Sequence, residues 1–279
     1  MDNTFTPIIK WAGGKRQLID RIEGFLPTSY NTYIEPFFGG GALFCHLNPE
    51  QSIINDTNKD LIDMYTVLRQ NPTEFYFLLE GLQDRYNCAA AANRQEIYYE
   101  YRTEFNTLKQ NPNLTADETI RKAGLLVFLN KAGFNGLYRV NKKDEFNVPW
   151  GKKVSLNLYD KRNVLLFSRA LQSTEILNGD FEAACCKAKE HDFVFLDPPY
   201  HDTFTDYAAD GFTEDDQIRL ANVCRSLTEH GVKFIQTNSA TNFIKELYQE
   251  YNIVELDTRR AINCDGNNRQ GKDIIILNY

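Results

Sequence analysis

The feature that most restricts the fold is the run Phe193-Val194-Phe195-Leu196, followed at once by Asp197-Pro198-Pro199-Tyr200. A short apolar run bounded by a turn signal has the character of a strand buried on both faces, as in the middle of a parallel sheet. Ligands of open α/β sheets bind beyond the carboxyl ends of such strands, so a carboxylate at Asp197 faces a cleft. Two successive prolines remove two backbone donors and fix two φ angles. What remains is a stiff corner with a carboxylate, carbonyl acceptors and the aromatic face of Tyr200. That set suits a planar ring bearing an amino group, the chemistry of a nucleobase. The same residues could also simply end a strand with Tyr200 packed over it, and the rest of the chain has to decide.

Thr32-Tyr33-Ile34-Glu35-Pro36-Phe37-Phe38-Gly39-Gly40-Gly41, then Ala42-Leu43-Phe44-Cys45-His46-Leu47, reads as strand, glycine turn and helix. Such a turn lets backbone approach a cofactor closely, but it is not G-x-G-x-x-G, which disfavours a nicotinamide cofactor. Ser52-Ile53-Ile54-Asn55-Asp56 reads as a second strand, ending in an acid about twenty residues on, where doubly wound sheets bind a ribose diol. Asp56 could instead cap the helix that follows. Turn and acid together point to a nucleoside-containing cofactor. Upstream, Ile8-Ile9-Lys10-Trp11-Ala12-Gly13-Gly14-Lys15 leads into a helical pattern over Gln17-Leu18-Ile19-Asp20-Arg21-Ile22. It lacks the glycine spacing of a Walker A loop, which excludes a nucleotide triphosphatase; a tight turn with Trp11 in the core is its plainer reading. In Asn178-Gly179-Asp180-Phe181 an acid beside an aromatic suits an adenine ring, although Asp180 could equally cap the helix through Glu182-Ala183-Ala184.

The middle of the chain breaks this alternation. From Thr66 to about Asn130 the pattern is helical, through Phe75-Tyr76-Phe77-Leu78-Leu79, Ile97-Tyr98-Tyr99 and Ala123-Gly124-Leu125-Leu126-Val127-Phe128-Leu129, with Pro72 and Pro112 at boundaries. A chain of 279 residues has room for an α/β core with such an insertion, whose aromatics read as packing. After Phe134-Asn135-Gly136-Leu137-Tyr138-Arg139-Val140-Asn141, apolar/polar alternation around Lys142-Lys143-Asp144-Glu145 and on through Phe146-Asn147-Val148-Pro149-Trp150-Gly151 predicts a β-hairpin. Between Arg121 and Arg169, eleven Lys/Arg stand against three Asp/Glu, a local +8 in a chain of net charge −7, leaving −15 for the rest. A charge run is ordinarily a solvated surface. Here the basic residues are interleaved with aromatics, Asn and Gly, which suits a surface facing a duplex. A ribbon or its flanking loop can enter a major groove, where Arg reads guanine and Asn reads adenine. Lys152, Lys153, Lys161 and Arg162 are placed against phosphates.

Towards the end, Asp215 to Leu227 and Phe243 to Tyr248 read as helices, and Val232 to Thr237, Ile253 to Leu256 and Ile274 to Leu277 as strands. The polar, glycine-rich stretch from Arg259 to Lys272 is expected to be a mobile loop with a second phosphate contact. Six cysteines and four histidines show no metal-ligand spacing, so no metal site is expected and reduced thiols are the default. No run approaches the roughly 20 apolar residues that span a bilayer. Residues Met1 to Pro7 lack a secretory pattern, so a cytoplasmic location is expected.

Taken in order, Lys10-Trp11-Ala12-Gly13-Gly14-Lys15, Glu35-Pro36-Phe37-Phe38-Gly39-Gly40-Gly41, Asn55-Asp56, Asn135-Gly136-Leu137-Tyr138-Arg139, Phe146-Asn147-Val148-Pro149 and Asp197-Pro198-Pro199-Tyr200 resemble the motifs of the bacterial and phage DNA adenine methylase family. Each motif is short; their order over nearly the whole chain is what carries the resemblance. It implies an α/β fold with a Rossmann-like methyltransferase sheet, mostly parallel with an antiparallel C-terminal strand. It assigns residues 1–65 and 170–279 to a catalytic domain and 66–169 to an inserted helical recognition domain with a hairpin at 137–149. It implies S-adenosyl-L-methionine as cofactor, double-stranded DNA as partner, and methyl transfer to N6 of a flipped adenine within G-A-T-C. Trp11, Lys15, Phe37, Gly39, Asp56, Asp180, Phe181 and Asp197 would line the cofactor site, and Asp197, Pro198, Pro199 and Tyr200 would be catalytic. Lys10, Asn135, Leu137 and Arg139 would meet base edges and Phe134 the stacked pair, with Pro149 and Lys152 on the same DNA-facing surface. Phe134 stands where the enterobacterial relative has tyrosine, so a hydroxyl contact is lost there, and the residues after Gly151 also depart from the family. No obligate protein partner is evident, and a monomer is expected. The family includes solitary methylases and partners of restriction systems. The alternatives are a methyltransferase of RNA or of a protein glutamine amide, against which the basic hairpin and motif order speak, and a non-catalytic DNA-binding regulator, against which the intact tetrapeptide and glycine turn speak.

Overall fold

The computed structural model describes residues 4–11, 16–201, 211–259 and 270–279. Its strands are β1 Tyr33–Glu35, β2 Ser52–Asp56, β3 Thr174–Asn178, β4 Phe193–Leu196, β5 Lys233–Ser239, β6 Asn252–Arg259 and β7 Gln270–Leu277, joined in one sheet of order β3-β2-β1-β4-β5-β7-β6. The helices described are α1 Arg16–Ile22, α2 Ala42–Leu47, α3 Lys59–Gln70, α4 Pro72–Cys88, α5 Arg94–Gln110, α6 Ala116–Ala132, α7 Lys161–Ala170, α8 Phe181–Cys185, α9 Glu214–Glu229 and α10 Asn242–Leu247. No helix among the described residues is long and apolar enough to cross a membrane.

Strand β1 lies between β2 and β4, parallel to both, and β4 runs parallel to β5. All residues of β1 and β4 are buried, as expected of central strands covered on both faces. β7 is antiparallel to both β5 and β6, so the mixed sheet expected from the sequence is the one found. Strand order reverses between β1 and β4, the position at which doubly wound sheets open a crevice beyond their carboxyl ends. Ile34 pairs with Val194, so both strands deliver their following residues to the same edge of the sheet.

The chain divides into two compact units, one of Met1–Arg16, Gly39–Glu50 and Asp56–Asn178, the other of Gln17–Phe38, Gln51–Asn55 and Gly179–Tyr279. In the first, α6 is buried over most of its length, with Leu125, Leu126 and Leu129 inside and Phe128 meeting the rings of Tyr86 of α4 and of Tyr98 and Tyr101 of α5. Each such ring or leucine removed from water contributes about 1.5–3 kcal/mol. Helix starts are set locally. Pro72 opens α4, where its missing N–H costs nothing, and Thr115 with Glu118 forms a reciprocal capping box on α6.

Two members of the basic stretch pair with acids of neighbouring helices. Lys122 is buried, its Nζ 3.2 Å from Asp60 and 2.7 Å from Asp63 of α3, and Arg121 pairs with Glu104 at 2.7 Å. Asp60 also accepts from Lys109 Nζ at 2.8 Å and from the Tyr138 hydroxyl at 2.7 Å. Burial alone would raise the Asp60 pKa, but Lys109, Tyr138 and Lys122 together hold it below the ordinary carboxylate value.

The predicted hairpin is a looser fold-back. Val140 and Phe146 form a single antiparallel bridge, supported by Asn141 N donating to Glu145 O and Asn147 N to Arg139 O. The Asn141 side chain takes the amides of Lys143 and Glu145, and Asn106 of α5 takes both backbone groups of Phe146, so side chains compete with a regular ladder. Of the expected mobile loop, Arg259 ends β6 and Gln270 to Lys272 begin β7; residues 260–269 lie outside the described residues. Asp60→Ala leaves the buried Lys122 and the half-buried Lys109 short of their counter-charge and should lower unfolding free energy in urea by about 3–5 kcal/mol. Because the folded pKa of Asp60 is depressed, its contribution is full above about pH 3.9, the unfolded value, and is lost as pH falls through the lower folded value.

Candidate functional site

In the second unit, β4 runs into a corner whose side chains are held from behind. Thr237 of β5 donates its hydroxyl to Asp197 Oδ1 at 2.5 Å. Gln217 of α9, fully buried, donates to the Pro199 carbonyl at 3.0 Å, and Asn238 donates to Gln217 Oε1 at 3.0 Å. Asn238 Oδ1 accepts from the amides of His201 at 3.0 Å and Ser239 at 2.9 Å, while the Ser239 hydroxyl donates to the His201 carbonyl. Asp197 and Tyr200 are half-buried, Pro198 buried and Pro199 exposed. The corner is therefore fixed in backbone and side chain alike. Sequence reasoning missed this support, although Gln236-Thr237-Asn238-Ser239 carried a signal: four polar residues ending a buried strand must find partners inside.

At the end of β1, Asn55 donates to the Pro36 carbonyl at 3.0 Å and the Gly179 carbonyl at 2.9 Å, tying two loops to β2. Its Oδ1 is buried with no hydrogen-bond partner among the described residues. Phe37 stacks on Phe181 with centroids 5.4 Å apart, and Phe212 meets Phe37 edge-on at 5.8 Å. At that spacing no third ring fits between Phe37 and Phe181. Phe181 is 3% exposed, with the Arg219 guanidinium 5.0 Å from its centroid, so Phe37 is the ring of this pair left half-exposed. Asp180 takes the capping role, accepting from Glu182 N at 3.0 Å, and pairs with Arg219 at 3.0 Å.

In the first unit the glycine turn has left-handed residues at Gly39 (φ 50°) and Gly41 (φ 65°). A Cβ on Gly39 would stand 2.8 Å from Trp11 Cδ1, so glycine is required both for φ and for the close approach of the indole. Asp56 Oδ2 accepts from Gly39 N and Oδ1 from Asn58 N, each at 2.9 Å. The helix cap expected as an alternative for Asp56 belongs instead to Asn58, which accepts from Leu61 N at 3.0 Å. Burial raises the Asp56 pKa, against the opposing effect of the amides of Asn58 and Gly39. Lys15 lies outside the described residues.

The recognition stretch of the same unit is organised by Asn130, a buried residue of α6 that sequence reasoning passed over within an apolar run. It accepts from Lys10 N at 2.9 Å and donates to the carbonyls of Lys10 at 2.7 Å and Gly136 at 2.9 Å. Asn135 and Gly136 are both left-handed, at φ 55° and 69°, and Phe134 N donates to the Pro149 carbonyl at 2.9 Å. These bonds bring Lys10, Phe134, Asn135 and Pro149 together, all exposed, with Phe134 51% exposed despite its apolar ring. Leu137 is half-buried; Arg139 is exposed, and its Nε donates to Asn147 Oδ1 at 2.7 Å. Lys152 is exposed and left-handed, and Lys161 lies 4.6 Å from the Tyr76 ring centroid. Among the described residues no cluster of His, Cys, Asp and Glu could hold a metal ion, and Cys88, Cys185, Cys186 and Cys224 are free thiols.

Residues 11–262 match a family model described as D12 class N6 adenine-specific DNA methyltransferase. The type II methyltransferase M.MjaIII of Methanocaldococcus jannaschii is 38% identical, over 98% of this chain and 99% of its own. The type II methyltransferase M1.LlaDCHI of Lactococcus lactis subsp. cremoris is 36% identical, over 98% and 95%. The DNA adenine methylase of Escherichia coli strain K12 is 31% identical, over 97% and 94%. Asn130→Ala removes three hydrogen bonds to main chain and should lower stability by about 1–3 kcal/mol. Faster hydrogen exchange at the Lys10 amide, measured by NMR, would localise that loss.

Proposed function

This chain belongs to the D12 class of N6 adenine-specific DNA methyltransferases, and from that premise we propose that it methylates N6 of a flipped adenine within G-A-T-C of duplex DNA, with S-adenosyl-L-methionine as cofactor. The observation that carries this reading is the Asp197-Pro198-Pro199-Tyr200 corner, held by Thr237 and Gln217 at the strand-order switch of the sheet.

Extrusion of the base costs a few kcal/mol in lost stacking and pairing, roughly, and Tyr200 offers a ring face in return. Asp197 and the Pro198 carbonyl accept the two N–H groups of the adenine amine, whose lone pair is otherwise delocalised into the ring. Holding both hydrogens there favours a more pyramidal, more nucleophilic nitrogen. Thr237 prevents the Asp197 carboxylate from rotating away, which keeps the amine in line for attack. S-adenosyl-L-methionine supplies the electrophilic methyl group on a positively charged sulfur.

The donor set suits that cofactor. Asp56, at the end of β2, has carboxylate capacity left for ribose hydroxyls beyond the backbone amides it accepts. Trp11 and Phe37 present aromatic surface to an adenosyl group, with Gly39 admitting close backbone approach. Lys15, Asp180 and Phe181 complete the proposed cofactor set. On the nucleic-acid side, Lys10, Asn135, Leu137 and Arg139 read base edges, and Phe134 stacks on the pair beside the gap. Pro149 and Lys152 flank them, Lys152 against a phosphate. The M.MjaIII and M1.LlaDCHI relatives, both named type II methyltransferases, support a place beside a restriction activity. The enzyme acts as a monomer in the cytoplasm.

Asp197→Ala should abolish methyl transfer while DNA affinity stays within about threefold; retained turnover would refute the assignment. Mapping methylated adenines after exposure of genomic DNA to enzyme and cofactor should return G-A-T-C; another motif would overturn the sequence specificity and spare the chemistry. Affinity for DNA should fall steeply with salt as phosphate counterions are released. Ribose hydroxyls donate to ionised Asp56, so affinity for S-adenosyl-L-homocysteine should weaken as pH drops through the raised Asp56 value, above about 3.9. Calorimetry should detect proton release on binding in that window, and Asp56→Asn should remove it.

A further inference from the structure

Tyr138 lies in the recognition stretch between Leu137 and Arg139, yet its side chain belongs elsewhere. Its hydroxyl donates to Asp60 at 2.7 Å and accepts from Lys109 Nζ at 3.3 Å. Its ring lies against Trp11, with centroids 5.3 Å apart and planes 34° from parallel, and meets the edge of Phe146 at 5.8 Å. Trp11 rests in turn on the glycine turn, where a Cβ on Gly39 would be 2.8 Å from its Cδ1 and one on Gly40 3.4 Å from its Cβ. The Gly39 amide and carbonyl are held by Asp56 and by the Tyr65 hydroxyl, each at 2.9 Å. One side chain thus touches the indole on the cofactor side while its own backbone carries the residues on the DNA side. Lys109 anchors the same stretch a second time, through Asp144 at 2.9 Å.

We propose that Tyr138 is a positioning residue that couples the two substrates, transmitting the seating of Leu137 and Arg139 on DNA to Trp11 and the glycine turn. The inference rests on the functional reading above. Its physical basis is that the ring cannot shift with its backbone without either moving the indole or opening a gap beside it, and interiors resist such gaps. The hydroxyl is fixed by a buried carboxylate and a half-buried ammonium, so the ring has a defined resting place from which displacement is felt. Asp60 and Lys109 set that place; Tyr138 transmits it.

The test is a thermodynamic cycle. S-adenosyl-L-homocysteine is titrated into the full chain with and without a G-A-T-C duplex, for wild type, Tyr138→Phe and Tyr138→Leu. DNA should tighten wild-type binding by about fivefold or more, in the usual range of coupling between sites. Tyr138→Leu keeps apolar volume but loses the ring, and its ratio should fall below about twofold, with each affinity measured alone changing far less. Tyr138→Phe keeps the ring and should retain most of the coupling. The chain has two tryptophans, so Trp150→Phe isolates the emission of Trp11. DNA alone should shift that emission, and Tyr138→Leu should abolish the shift. Wild-type coupling in Tyr138→Leu, or no coupling in wild type that binds both ligands, overturns the inference. Failure of wild type to bind S-adenosyl-L-homocysteine or to methylate adenine would instead overturn the functional reading. If Tyr138→Leu does not fold, the comparison passes to Tyr138→Met, which also lacks the ring, and unchanged coupling with an unchanged emission shift there overturns the inference.

Discussion

A buried strand that ends must leave its last backbone groups, and those of the loop it enters, with partners. In this protein the solution is repeated at each strand that serves the candidate site. Asn55 takes the carbonyls of Pro36 and Gly179, Asp56 takes the amides of Gly39 and Asn58, and Gln217 takes the carbonyl of Pro199. Asn130 does the same for Lys10 and Gly136 in the recognition stretch. An unsatisfied buried group costs about 1–3 kcal/mol, so each of these side chains fixes a loop conformation as firmly as a core residue fixes a helix. Loops that would otherwise be variable thereby present Asp197, Phe37 and Asn135 in defined positions.

The same principle, applied to charge, holds the helices of the first unit. Asp60 is buried against two lysines from different helices and a tyrosine from the recognition stretch. A buried ionic cluster of this kind adds little net stability over an apolar core, but it is costly to break and admits few alternative geometries. Placed between α3, α5, α6 and Tyr138, it gives the recognition stretch a fixed attachment rather than merely a surface to lie on. Trp11 and the glycine turn lie one contact beyond.

Much of the sheet was legible because apolar runs and glycines leave strong local marks. The runs at Phe193 to Leu196 and Ser52 to Asp56 coincide with β4 and β2, and the helical insertion follows its periodicity. Asp180 was legible as a cap, the role its backbone position at the start of α8 gives it. The charge run begins with two residues already paired. Arg121 and Lys122 belong to the same stretch as Lys152 in sequence, but helical geometry turns them towards Glu104, Asp60 and Asp63. Charge counted along a chain ignores which face of a helix each residue occupies.

By itself, then, the sequence determined strands β1, β2 and β4 to β7, the helical character of the segment between β2 and the recognition stretch, the proline corner after β4, the glycine turn after β1 and the membership of the chain in its family. These depend on local propensity and on short motifs, which neighbouring residues suffice to specify. Only the tertiary structure decided that Thr237, Gln217 and Asn238 hold the corner, that Asn130 clamps Lys10 to Gly136, and that Tyr138 joins Asp60 to Trp11. Most of those pairings join residues 18 to 120 or more positions apart, and a polar side chain in sequence carries no sign of which distant backbone group it will satisfy.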